Sequence, residues 1–114
     1  MLNTFSVTSH FKLSEFECPC CKRVMLDARL LAFLDAVRKV YGRPITITSG
    51  YRCACYNVRV LGKNLSKHTV GAAADIQPAD AWMNAAISRV FLEEDYGDEI
   101  EIIGESDHIH VEVK

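Results

Sequence analysis

The sequence predicts an α+β fold, a small, mainly antiparallel sheet with helices packed on one face. Three observations carry this reading. Residues 28–41 repeat apolar side chains at helical spacing. Four short stretches are β-branched or alternate between apolar and polar residues, and the last two are separated by a Gly-Glu-Ser-Asp turn. At 114 residues and 12.8 kDa the chain suits one domain. The scaling of folded surface with mass predicts roughly 6,300 Å² of accessible area, enough burial for one core without disulfide staples.

The elements follow in chain order. Residues 1–12 form a leading segment. Leu13-Ser14-Glu15-Phe16 reads as a short helical turn capped by Ser14, and Cys18-Pro19-Cys20-Cys21 as a turn or knuckle. A helix is predicted over 28–41. Asp27 is its N-cap, Leu30, Phe33, Leu34, Val37 and Tyr41 form one buried face, and Arg38 and Lys39 complement the dipole of the last turn. Gly42 ends this helix and Pro44 prevents its restart. Ile45-Thr46-Ile47-Thr48 is a strand, left through the turn Ser49-Gly50-Tyr51-Arg52. Residues 53–71 are loop or short helix. A strand over 72–77 stops at Pro78, and Asp80 caps a helix over 81–92, in which Trp82 is read as core. Strands over 99–103 and 108–113 close the chain.

Charge and composition exclude several functions. The formal net charge is −2, with 25% charged and 49% apolar residues. That balance argues against docking on nucleic acid or an anionic membrane. Lys12, Lys22, Arg23, Lys63 and Lys67 form no run, and His10 is read as a surface residue without a role. No apolar run reaches the roughly 20 residues that span a bilayer. Residues 1–10 lack the pattern of a signal peptide, so synthesis in the cytoplasm is expected.

The chemistry concentrates in two segments. In His108-Ile109-His110-Val111-Glu112-Val113, one face of a strand carries His108, His110 and Glu112, and the other carries the aliphatic residues for the core. In the segment from Ser66 to Asp75, His68 and Asp75 are separated by a glycine and three alanines, small residues that leave room around a site. His68, Asp75 and His110 together make two imidazoles and one carboxylate. This is the donor set of a catalytic zinc ion that keeps a fourth position open for water. The zinc site would lie on the sheet face opposite the helices.

The same residues carry a family resemblance. Ser66, His68, Gly71, Ala73 and Asp75 occupy every fixed position of the pattern S-x-H-x-x-G-x-A-x-D. The terminal His-Ile-His-Val-Glu and the entry motif Ser49-Gly50-Tyr51-Arg52, with Asn57 trailing it, also match. Over residues 11–114 the chain resembles the zinc D-Ala-D-Ala carboxypeptidases and L-alanyl-D-glutamate endopeptidases, whose fold the hedgehog signalling domain shares. It is most similar to a small phage-type or bacterial subgroup that opens with a Leu-Ser-Glu-Phe and cysteine segment.

The resemblance implies a zinc peptidase acting on peptidoglycan stem peptides, with one catalytic Zn2+ held by His68, Asp75 and His110. It also implies that Arg52 receives a substrate carboxylate or polarises a carbonyl. Ser66 would support the site, and Tyr51 would line the groove. The general base is either Asp107, three residues before the last ligand, or His108, two before it. A carboxylate is the commoner base, which favours Asp107 with His108 as the second catalytic residue. A monomer is expected, without an attached wall-binding module. It would act on the wall after release from the cell or as part of a phage particle. A zinc-retaining binding module without catalysis is the alternative. Where relatives carry V-G-G, this chain has Val60-Leu61-Gly62, which bears on substrate preference rather than on the metal.

The five cysteines fall into two clusters, Cys18-Pro19-Cys20-Cys21 and Cys53-Ala54-Cys55. Packed free thiols are the leading reading. The alternatives are disulfides formed after release, or a structural zinc held by Cys18 and Cys21 with Cys53 or Cys55.

Overall fold

The computed structural model describes residues 3, 5–60, 62 and 66–114. Leu61 and Lys63, both weighed in the sequence, lie outside them. Helix α1 (Ala28–Tyr41) has the predicted limits. The Asp27 carboxylate accepts the Arg29 amide at its start, and Gly42 closes it in the left-handed region. Strand β1 (Thr46–Ser49) begins one residue later than predicted. A short helix α2 (Ala54–Arg59) and a 3-10 turn (Lys67–Val70) fill the connection to β2 (Ala73–Gln77). Helix α3 (Ala81–Glu93) starts where the Asp80 side chain accepts the Met83 amide, and β3 (Ile100–Gly104) and β4 (Ile109–Val113) complete the chain.

The four strands form one antiparallel sheet in the order β1-β2-β4-β3. Ala74, Ile76, Ile109, Val111 and Val113 join one buried cluster with Leu30, Phe33, Leu34 and Val37 of α1 and with Met83, Ala86, Ile87 and Val90 of α3. Phe33 meets Phe91 and Tyr96 at 5.3 and 5.2 Å between ring centroids. Full burial of a side chain of this size is worth roughly 1.5–3 kcal/mol. The accessible area, 6636 Å², is close to the scaling expectation. No helix among the described residues is long and apolar enough to cross a membrane.

Four local expectations need correction. The N-cap of the 3-10 turn Leu13–Phe16 is Lys12, not Ser14, and the Glu15 carboxylate accepts the Lys12 amide at 2.7 Å. Phe11, within the predicted leading segment, is buried in the core and packs edge-on against Phe16. His10 is half-buried with Nδ1 3.1 Å from Asp35 Oδ1. Trp82 is 68% exposed: it sits one residue off the buried stripe of α3, and the Arg43 guanidinium covers its ring at 5.8 Å.

Two features of the backbone place the site. A register shift between Ile47 and Ser49 bulges β1 beside β2 and redirects the chain at Gly50. A β-carbon on Gly50 would lie 2.6 Å from the Phe16 backbone, so only glycine allows the approach in which Phe16 accepts the Tyr51 amide. Gly71 ends the second 3-10 turn at φ +72°, and a β-carbon there would strike the Met25 carbonyl. These contacts explain the glycines of the two sequence motifs.

Candidate metal centre

Asp75 on β2 faces His110 on β4 directly across the ladder. Their neighbours in both strands point into the core, so the pleat turns this pair to the opposite face. A one-residue slip would put carboxylate and imidazole into the core and the aliphatic residues outside, so the hydrophobic pattern itself locks the pair in register. His68 comes from the 3-10 turn that precedes β2. The Ser66 hydroxyl caps that turn by accepting the His68 amide at 3.2 Å. Ligand atoms of His68, Asp75 and His110 all lie within 4.8 Å of one another.

The outer nitrogen of each imidazole is already used. His68 Nδ1–H donates to the Gly50 carbonyl at 2.8 Å, which leaves Nε2 facing Asp75 Oδ1 at 3.4 Å. His110 Nε2–H donates to Glu112 Oε1 at 2.8 Å, which leaves Nδ1 2.9 Å from the same Asp75 oxygen. The rings stand edge to face, with centroids 5.1 Å apart. Asp75 Oδ2 is held by Arg52 Nη2 at 3.5 Å, so only Oδ1 turns towards the imidazoles. Two inward nitrogens converging on a buried carboxylate oxygen need a cation among them, either a proton or a metal ion that displaces it. Two imidazole nitrogens and one carboxylate oxygen fit zinc, and the outer partners set tautomer and ring angle as the supporting hydrogen bonds of metal-bound histidines do.

Electrostatics agree with the geometry. Burial pushes the Asp75 carboxyl up, but hydrogen bonds and charge from His110 and His68 outweigh it and hold the group well below the usual carboxylate range. The hydrogen bond to Asp75 raises the His110 pKa against the effect of burial, and Glu112 adds to the rise.

The three residues open onto a cleft of about 360 Å³, also lined by Arg52, Ser66, Lys67, Ile103, Glu105, His108 and Glu112. Tyr51 is not among its lining residues. His108 Nε2 lies 3.8 Å from Asp75 Oδ1, and its Nδ1 lies 2.7 Å from Asp107 Oδ1. The Asp107 side chain is 77% exposed and, among the described residues, touches the site through His108, and the Gln77 side chain pins its backbone carbonyl at 2.7 Å.

Glu112, the Gly50 carbonyl, Lys67 and Glu105 had no assigned part in the sequence reading. The alternation of β4 already put Glu112 on the histidine face, and this was the signal for it. Glu112→Gln is expected to weaken metal binding by roughly 10–100-fold, the usual cost of losing an orienting partner. Titration against a competing chelator checks this, and an unchanged affinity would rule out the orienting role.

Cysteines form a separate thiol cluster. Cys18, Cys21 and Cys53 have sulfur atoms within 4.8 Å of one another, and no disulfide joins any of the five cysteines. Cys55, predicted as an alternative to Cys53, is exposed, and its sulfur takes the Arg59 guanidinium at 4.0 Å. Burial raises the Cys18 pKa, but the amides of Cys53, Cys21 and Cys20 outweigh it and bring the thiol down to about 7.

Comparison with known proteins adds one match. A family model described as Peptidase M15 covers residues 9–112. None of the curated proteins compared with the chain matches it.

Proposed function

The chain belongs to the peptidase M15 family, and on that premise we propose that it is a zinc-dependent peptidase hydrolysing amide bonds in peptidoglycan stem peptides. The bond would be of the L-Ala-D-Glu endopeptidase or D-Ala-D-Ala carboxypeptidase type. One observation carries the reading: both imidazoles have their outer nitrogens bonded, to Gly50 and Glu112, and turn their inner ones on Asp75 Oδ1. His68, Asp75 and His110 would hold the ion. When bound, it supplies a Lewis acid for the scissile carbonyl and lowers the pKa of a water molecule.

The chain's own residues supply the rest. Arg52 donates Nε–H to Ser49 Oγ at 3.0 Å, Nη1–H to Asn57 Oδ1 at 3.3 Å and Nη2–H to Asp75 Oδ2. A guanidinium carries five N–H groups, so those beyond these three serve a substrate carboxylate or carbonyl. Lys67 adds a second cation to the cleft wall, suited to the carboxylates of a stem peptide. His108 is assigned the proton transfer. Asp107 accepts its Nδ1–H and fixes the tautomer, so Nε2 faces the cleft as the base that takes a proton and returns it to the leaving amine.

Digestion of purified peptidoglycan, with mass spectrometry of the released fragments, tests the proposal. Fragments are expected that disappear with a chelator and return with added zinc, and their new termini identify the bond. An intact wall from every peptidoglycan type, with zinc bound at His68 and His110, would instead leave a zinc-retaining binding module.

A further inference from the structure

We propose that the chain holds a second metal ion, a structural zinc bound by the thiolates of Cys18, Cys21 and Cys53. The proposal is independent of the peptidase reading. Its first support is distance. Cys18 and Cys53 sulfurs are 3.7 Å apart, and all three sulfurs lie within 4.8 Å. Sulfurs about 2.3 Å from a tetrahedral zinc stand about 3.8 Å from one another. A disulfide would require about 2.05 Å.

The second support is the shape of the turn. Cys18 N–H donates to the Arg23 carbonyl at 2.8 Å and Lys22 N–H to the Cys18 carbonyl at 2.9 Å, folding the C-x-x-C segment back on itself. Lys22 completes the turn at φ +62°, a left-handed conformation that a lysine rarely adopts. The resulting knuckle turns Cys18 and Cys21 to the same side, towards Cys53.

The third support is the set of amides around the sulfurs. Cys53 N–H donates to Cys18 Sγ at 3.5 Å, and Tyr56 N–H donates to Cys53 Sγ at 3.4 Å. Amides aimed at sulfur favour thiolates and orient them as ligands. Cys55, by contrast, is exposed and turned to Arg59. Uptake of the ion releases the thiol protons to solvent and changes no redox state. It would staple the knuckle to the chain next to Arg52.

The test is metal content of the full chain purified under reducing conditions, together with the spectrum of the cobalt(II)-loaded protein. Two zinc ions per chain are expected. Cys21→Ser should lose one and keep the other, and His110→Ala should do the converse. Cobalt should give a sulfur-to-metal charge-transfer band in the wild type and in His110→Ala, but not in Cys21→Ser. One zinc per chain with no such band in the wild type overturns the proposal, even if Cys21→Ser does not fold. Retention of both ions and the band in Cys21→Ser also overturns it, as does a Cys18–Cys53 disulfide found in place of metal by mass spectrometry.

Discussion

His68→Ala is expected to abolish peptide hydrolysis and to remove the catalytic metal. The substitution deletes one of the three proposed ligands and opens the centre to water. It also leaves the Gly50 carbonyl without its imidazole donor and Asp75 with one partner fewer. An orphaned buried acceptor costs about 1–3 kcal/mol. Folded domains have about 5–15 kcal/mol in hand, so the variant should fold with a lowered melting temperature. Metal analysis, a thermal melt and the wall-digestion assay on one preparation check the three parts together. Wild-type hydrolysis by a folded His68→Ala protein would remove this residue from the centre.

The second large effect separates two neighbours. His108→Gln should cut kcat by roughly 10²–10⁴-fold, the range for losing a general acid–base group, with metal content unchanged. Asp107→Asn should cost less, because it acts through His108 and can still bond the ring. Sequence alone favours Asp107 as base, since a carboxylate is the commoner choice. The turn between β3 and β4 instead sends Asp107 to solvent and His108 into the cleft. Equal or greater loss in Asp107→Asn, with His108→Gln mild, would return the base to Asp107.

What could be read from the sequence depended on which force set each feature. Helix α1 came out at its true limits because the apolar period, the Asp27 cap and the Gly42 stop all agree. The convergence of His68, Asp75 and His110 followed from strand alternation plus a motif. Tautomers were not legible, because one is fixed by the Gly50 backbone carbonyl, which no side-chain pattern announces. Strand alternation put Glu112 on the histidine face, but its bond to the His110 ring appears only in the folded chain. Trp82 was misplaced because aromatic character argues for burial, while its position on α3 and the cover from Arg43 keep it outside. Cys53 and Cys55 could not be ranked from spacing, since only the folded chain brings Cys53 to Cys18 and Cys21 and turns Cys55 to Arg59.

The cleft wall has one further consequence. Asp75 is buried in the sheet and His68 in the 3-10 turn that leads into it, but Ile103 and Glu105, at the edge strand and its turn, are exposed, and Lys67 is only half-buried. Changes at these three positions leave the core and the ladder register intact. What the cleft accepts can therefore be re-engineered in a library, as an editable rim around an unchanging pole.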